Sequence, residues 1–171
     1  MKKISRRSFL LNTGVTASAT TAAFTLPSLI SHTDIRKAYD GKKLNVALVG
    51  LGNYAGILAT GLEESQYCKL AGIVTGHPAK AETWKKQYNI PDKNIYNYEN
   101  FDAIANNPDI DLVYVVLPNA MHKVYSIRAA KADKHVICEK PMAMSAADCE
   151  EMIIACKDPG VQGANGYRLN H

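Results

Sequence analysis

The 171 residues contain no Cys-x-x-Cys pair and no cysteine–histidine cluster at zinc spacing, which removes the common structural zinc sites. Four cysteines are present: Cys68, Cys138, Cys149 and Cys156. Cys149, Met152, Ile153 and Cys156 fall at i, i+3, i+4 and i+7, so this group is expected on one buried helix stripe. Cys68 and Cys138 sit in apolar, strand-like runs, and all four are expected as core thiols rather than disulfides. A basic stripe is also missing. Of 20 basic and 16 acidic residues, four bases (Lys2, Lys3, Arg6 and Arg7) precede residue 31, where no acid occurs; 16 of each sign remain. That balance gives no reason to expect a nucleic-acid partner. There is no internal repeat, and no run is apolar enough for a stable membrane anchor.

The first segment is set apart from the rest. A charged start through Leu10 leads into a mildly apolar stretch of alanine, threonine and serine that ends near Ile30. That order is the pattern of a secretory signal, here residues 1–31. Ser5-Arg6-Arg7-Ser8-Phe9-Leu10 resembles the twin-arginine export signal. The resemblance implies the twin-arginine export machinery as a partner and a periplasmic or otherwise exported location. It also implies folding before export, so that a cofactor can be carried across. Cleavage after Ala17-Ser18-Ala19 and cleavage nearer Ser31 both stay open. A polar linker is expected over residues 32–43, and one folded domain over 44–171.

Within that domain, strand and helix patterns alternate. Leu44–Val49, Leu70–Val74, Ile95–Tyr98, Leu112–Leu117, His135–Glu139 and Val161–Tyr167 read as strands. Ala55, Leu58, Ala59 and Leu62 mark one helix face; Ala79–Tyr88 and His122–Ala132 are helix-compatible, and Phe101–Ala105 offers one helical turn. Ser145, with Asp148 three residues on, starts a further helix in capping-box fashion. The alternation predicts an α/β fold: a doubly wound, Rossmann-type parallel sheet with helices on both faces.

The first strand runs into Gly50-Leu51-Gly52-Asn53-Tyr54-Ala55, a G-x-G-x-x-A turn that opens a helix. Position after a strand and before a helix is what makes this a dinucleotide fingerprint. Gly50 permits the tight turn, Gly52 leaves room for a pyrophosphate, and Ala55 lets the helix pack close to the strand. The free N–H groups of the helix end then face the phosphates. The second strand ends in Thr75-Gly76-His77-Pro78-Ala79-Lys80, with no acid before Glu82. An NAD site usually places an acid there. A Thr75 hydroxyl, the Gly76 turn and the Lys80 cation suit a 2′-phosphate instead, so NADP is expected in preference to NAD. Leu117, Pro118 and Asn119 end the fourth strand, and Glu139 and Lys140 the fifth, both at the carboxyl edge where open α/β sheets bind ligands.

The fingerprint, Leu117-Pro118-Asn119-x-x-His122, Cys138-Glu139-Lys140-Pro141 and Gly166-Tyr167-Arg168 follow one another in order. Together they resemble the glucose-fructose oxidoreductase, inositol dehydrogenase and rhizopine-catabolism (Gfo/Idh/MocA) family, over about Leu44 to the end of the chain. Gly-Leu-Gly-Asn-Tyr-Ala, Thr-Gly-x-x-x-Lys and Ile-Tyr-Asn-Tyr place it nearest the glucose-fructose oxidoreductase branch. The resemblance implies hydride transfer from a sugar or polyol hydroxyl to nicotinamide. Lys140 would then be catalytic, orienting the hydroxyl and favouring loss of its proton, and Glu139 would touch the nicotinamide ribose. It implies a tyrosine beside the adenine phosphate, at Tyr98, and a cis peptide before Pro141. His122 is open between a backbone-bonding role and cofactor contact, and Arg168 between the active site and the surface. The family's substrate domain follows Tyr-Arg and is absent here. The chain is therefore expected to be the nucleotide-binding part of a longer protein, with little turnover alone and homo-oligomerisation confined to the full length. The alternatives are an exported, NAD-dependent glycoside hydrolase of the same broad family and a non-catalytic nucleotide-binding fragment.

Overall fold

The structure is a computed structural model that describes residues 41–157 and 160–166. The export segment 1–31, linker residues 32–40 and Arg168 lie outside the described residues. The elements are β1 (Leu44–Val49), α1 (Asn53–Glu64), β2 (Cys68–Val74), α2 (Pro78–Tyr88), β3 (Ile95–Tyr96), β4 (Leu112–Val115), α3 (Asn119–Lys131), β5 (His135–Glu139), α4 (Ala146–Lys157) and β6 (Gly163–Gly166). Two 3₁₀ turns, Asp92–Asn94 and Phe101–Asn106, flank β3.

The six strands lie in the order β3-β2-β1-β4-β5-β6, and every neighbouring pair is parallel. The chain steps outward from β1 to β3, then returns to lay β4 on the free side of β1. This reversal between β1 and β4 is the switch point of a doubly wound sheet, where the crevice for a ligand opens. Alternation along the strands feeds two cores. Val46 and Leu48 of β1 point to one, with Ala55, Ala59 and Ile73. Ala47 and Val49 point to the other, with Phe101, Val113, Val115, Tyr125 and Ala129. Ala55 and Ala59 are fully buried, and their small side chains let α1 approach the sheet closely.

The strands predicted at β1 and β5 have the predicted bounds. Elsewhere local chemistry moves the ends. β3 stops at Tyr96 because Asn97 turns the chain: its side-chain oxygen accepts from the N–H groups of Glu99 (2.9 Å) and Asn100 (2.8 Å). β4 stops at Val115, and Pro118, which has no N–H to donate, precedes the start of α3 at Asn119. Of the predicted Val161–Tyr167, Tyr167 lies outside the described residues and β6 takes Gly163–Gly166 of the rest. The start of α4 is as predicted: the Asp148 N–H donates to Ser145 Oγ (3.2 Å), whose own hydroxyl donates to Asp148 Oδ2 (2.8 Å).

The buried stripe predicted on α4 needs correction. Met152 is buried, but Ile153 is 44% exposed and Cys149 and Cys156 are only half-buried. Met152 packs in the core with Val136 and Cys138, and Cys156 lies against Gly163 of β6, while Lys123 Nζ of α3 holds both Asp148 and Glu151 at 2.7 Å. All four thiols are free, and burial pushes the Cys138 thiol up to about 11.

Candidate nucleotide-binding site

The glycine turn joins β1 to α1 at the switch point. Gly50 donates its N–H to Val74 O (2.9 Å) and has φ +95°. A Cβ at Gly50 would stand 2.6 Å from Val116 O and 2.8 Å from Leu117 Cδ2, so the turn is pressed against the exit of β4. A Cβ at Gly52 would meet nothing within 4 Å. The space beside Gly52 is therefore open, at the mouth of α1, and fits a phosphate group. Asn53 and Tyr54 are exposed beside it, while Leu51 and Ala55 are buried.

Three helix N-termini at this edge are left open. α1, α2 and α3 have no side-chain cap and no acid in the first turn. α4 differs, being closed by Ser145 with Asp148 in its first turn. Open helix ends present free N–H groups and partial positive charge to an anion.

The exit of β2 is shaped by Thr75, which is 5% exposed. Its N–H donates to Tyr96 O (3.0 Å) and its hydroxyl oxygen accepts from the His77 N–H (3.2 Å). The contact fixes the Gly76–His77 backbone and uses the Thr75 hydroxyl as an acceptor only. Gly76 is exposed, and a Cβ there would lie 2.9 Å from the Tyr98 ring, so Tyr98 lies against the turn. Tyr98 in turn packs on Tyr125 with ring centroids 5.3 Å apart, and burial raises its phenol pKa. Thr75, Gly76, Pro78, Tyr96 and Tyr98 line a hollow of about 460 Å³. Lys80, on the first turn of α2, sends its ammonium back to Leu51 O (3.1 Å) and so ties α2 to the glycine turn.

On the other side of the switch point stand the exits of β4 and β5. Leu117 is buried; Pro118 and Asn119 are exposed. Glu139 is buried, with Oε1 accepting from the Tyr114 hydroxyl (2.6 Å) and Oε2 from the Lys140 N–H (3.1 Å). Lys140 is exposed, and its peptide bond to Pro141 is cis. Burial and then the Glu139 carboxylate drive the Tyr114 phenol well above its ordinary pKa. A Cβ at Gly166 would stand 2.8 Å from Glu139 Oε1 and 3.0 Å from the Tyr114 hydroxyl, so only glycine fits there without displacing the pair. His122 is 1% exposed and lies between two backbone carbonyls, with Nε2 2.7 Å from Leu117 O and Nδ1 2.7 Å from Pro141 O.

Tyr114 is the residue of this candidate site that sequence reasoning overlooks. In the run Leu-Val-Tyr-Val-Val-Leu it looks like core, and only its partner 25 residues away reveals its use. Tyr114→Phe leaves the buried Glu139 carboxylate without its hydroxyl donor and is expected to lower unfolding free energy by about 2 kcal/mol. Urea titration checks this, and no change in midpoint would mean that the hydroxyl does not support Glu139.

A glycine turn at the switch point, open helix ends around it and a carboxylate–lysine pair at the exit of β5 define an NAD(P)-binding Rossmann domain. The family model for oxidoreductases with an NAD-binding Rossmann fold, Gfo/Idh/MocA, matches residues 44–167. The chain belongs to the Gfo/Idh/MocA oxidoreductase family. It is 33% identical over 127 residues to a 2,7-anhydro-N-acetylneuraminate hydratase of Escherichia coli K12, covering 74% of this chain and 32% of the relative. It is similar to the crystal structure of an aldose-aldose oxidoreductase from Caulobacter crescentus (49% identity, TM-score 0.73, 74% of this chain and 38% of that one). A scyllo-inositol dehydrogenase from Lactobacillus casei gives 27% identity and TM-score 0.65 over 74% of this chain and 37% of that one. The chain thus spans about a third of the length of the relatives it matches.

Proposed function

We propose that this Gfo/Idh/MocA domain holds NADP and serves a sugar- or polyol-oxidising enzyme that leaves the cytoplasm by the twin-arginine route. The observation that carries the nucleotide choice is the Lys80 ammonium on Leu51 O (3.1 Å), beside a β2 exit that has no acid before Glu82. A cation at that corner, facing a turn with no carboxylate, favours a 2′-phosphate over a bare ribose diol. The sugar class is supported by the likeness to the aldose-aldose oxidoreductase at 49% identity. Export is supported by Ser5-Arg6-Arg7-Ser8-Phe9-Leu10.

The nicotinamide, when bound, would supply the hydride acceptor for oxidation at the carbon that carries the substrate hydroxyl. The residues of the chain do the rest. Gly50, Gly52 and the open end of α1 hold the pyrophosphate. Gly76, Tyr98 and Lys80 surround the adenosine side. Glu139, fixed by Tyr114, receives the nicotinamide ribose. Lys140, exposed at the same edge, orients the substrate hydroxyl and favours release of its proton.

Calorimetric titration of the chain with NADP and with NAD tests the nucleotide choice. NADP is expected to bind at least about tenfold tighter, and Lys80→Ala to weaken NADP about tenfold while leaving NAD within about twofold. Tighter binding of NAD would overturn the choice of nucleotide.

A further inference from the structure

His122 lies between the exits of β4 and β5, on one side of the switch point. It sits in the first turn of α3, is 1% exposed, and places one ring nitrogen 2.7 Å from Leu117 O and the other 2.7 Å from Pro141 O. Leu117 leaves β4, and Pro141 follows Lys140 at the exit of β5. Main-chain hydrogen bonding between β4 and β5 does not reach these positions: the paired register ends at Val115 and Cys138. Beyond it the polar contacts between the two exits are those of the ring and of the Tyr114 hydroxyl on Glu139 Oε1 (2.6 Å). A carbonyl oxygen only accepts, so a ring nitrogen must donate to each contact it satisfies; a neutral ring donates to one carbonyl, a doubly protonated ring to both.

We propose that His122 is a positioning residue that sets the Lys140 segment against the β4 exit, and thereby the nicotinamide end of the nucleotide site. The proposal rests on the placement of Glu139 and Lys140 beside the nicotinamide. The adenosine end lies across the sheet, at Gly76, Tyr98 and Lys80; its hydrogen bonds run to Leu51, Tyr96, His77 and, from Tyr98 O, to Arg128 near the far end of α3, none of them to His122. Loosening the His122 link therefore acts on one half of the ligand only. A residue that merely stabilised the fold would affect both halves alike.

The experiment titrates the chain and two variants, His122→Phe and His122→Gln, with two pairs of probes: NADP against 2′,5′-ADP, and NAD against ADP. The second member of each pair lacks the nicotinamide half, and the paired design makes the result independent of which nucleotide the site prefers. His122→Phe is expected to weaken the full dinucleotide about tenfold while leaving the fragment within about twofold. His122→Gln keeps two N–H donors on a side chain of similar reach and is expected to recover part of the loss. The emission of bound NADPH, a readout of the nicotinamide surroundings, is expected to shift towards that of free NADPH in His122→Phe and not in His122→Gln. Equal loss of dinucleotide and fragment, or no loss of either, overturns the positioning role. Unfolding of His122→Gln, seen by circular dichroism, assigns the ring to folding and overturns it too. Failure of the unaltered chain to bind any of the four probes removes the nucleotide site itself, and the proposal with it.

Discussion

Gly50→Ala is expected to abolish measurable nucleotide binding and to lower the thermal midpoint by about 10 °C. The backbone at Gly50 has φ +95°, a region that costs an L-residue roughly 1–2 kcal/mol. The added methyl would also stand 2.6 Å from Val116 O. That oxygen cannot yield easily, because the Val116 N–H is bonded to Val49 O at 2.8 Å. Relief must come from the turn, at the expense of the Gly50 N–H to Val74 O bond that holds it. Strain and overpacking together reach about 3 kcal/mol, and for a domain of this size that is roughly 10 °C. Gly52→Ala is the control. Its methyl meets no protein atom within 4 Å, so the thermal midpoint should hold, yet it stands at the open end of α1 where the pyrophosphate fits. Binding lost with stability kept at Gly52, and both lost at Gly50, is the expected pattern. An unchanged midpoint in Gly50→Ala would mean that the turn is not held as described.

The two glycines also mark how far the sequence was legible. A strand that runs into G-x-G-x-x-A carries its structural context within seven residues, and β1, the turn and α1 follow from it. The exits of β2, β4 and β5 were placed correctly at the carboxyl edge, because each closes an apolar run. What was not legible depends on partners distant in the chain. Lys80 meets Leu51 across 29 residues, and His122 meets Pro141 across 19. Thr75 reads as a hydroxyl donor, and the sequence does not show that its oxygen also accepts from the His77 N–H. A buried polar network is equally silent in the sequence: Asn107 Nδ2 donates to Asn94 Oδ1 and to the Tyr96 hydroxyl, each at 2.7 Å, and buried Lys134 donates to Asn107 O at 2.9 Å. Asparagine and lysine between periodic segments read as loop, and only the fold reveals that burial obliges them to pair.

Phe101→Ala is expected to reverse the order of effects seen at Gly50, with a large loss of stability and a small loss of binding. Phe101 begins the 3₁₀ turn after β3 and is fully buried. Its ring meets Tyr125 edge-on with centroids 5.2 Å apart, and the Arg128 guanidinium carbon lies 4.8 Å from its centroid. Arg128 is anchored there by Asp102 (2.8 Å) and Tyr98 O (3.1 Å), and its hydrogen bond holds the Asp102 carboxyl below the usual carboxylate range. Removing the ring leaves a cavity under α3 and takes away the surface on which the Arg128 stem and Tyr125 rest. Such truncations cost about 3–5 kcal/mol, enough to move a urea midpoint by more than 1 M. Tyr98 packs on Tyr125 and borders Gly76, so the adenosine side should loosen by only a few-fold in affinity. Phe101→Leu, which refills most of the volume, should recover over half of the stability. A loss below about 1 kcal/mol in Phe101→Ala would show that the cavity collapses freely, and that the aromatic group does not fix α3 against β3.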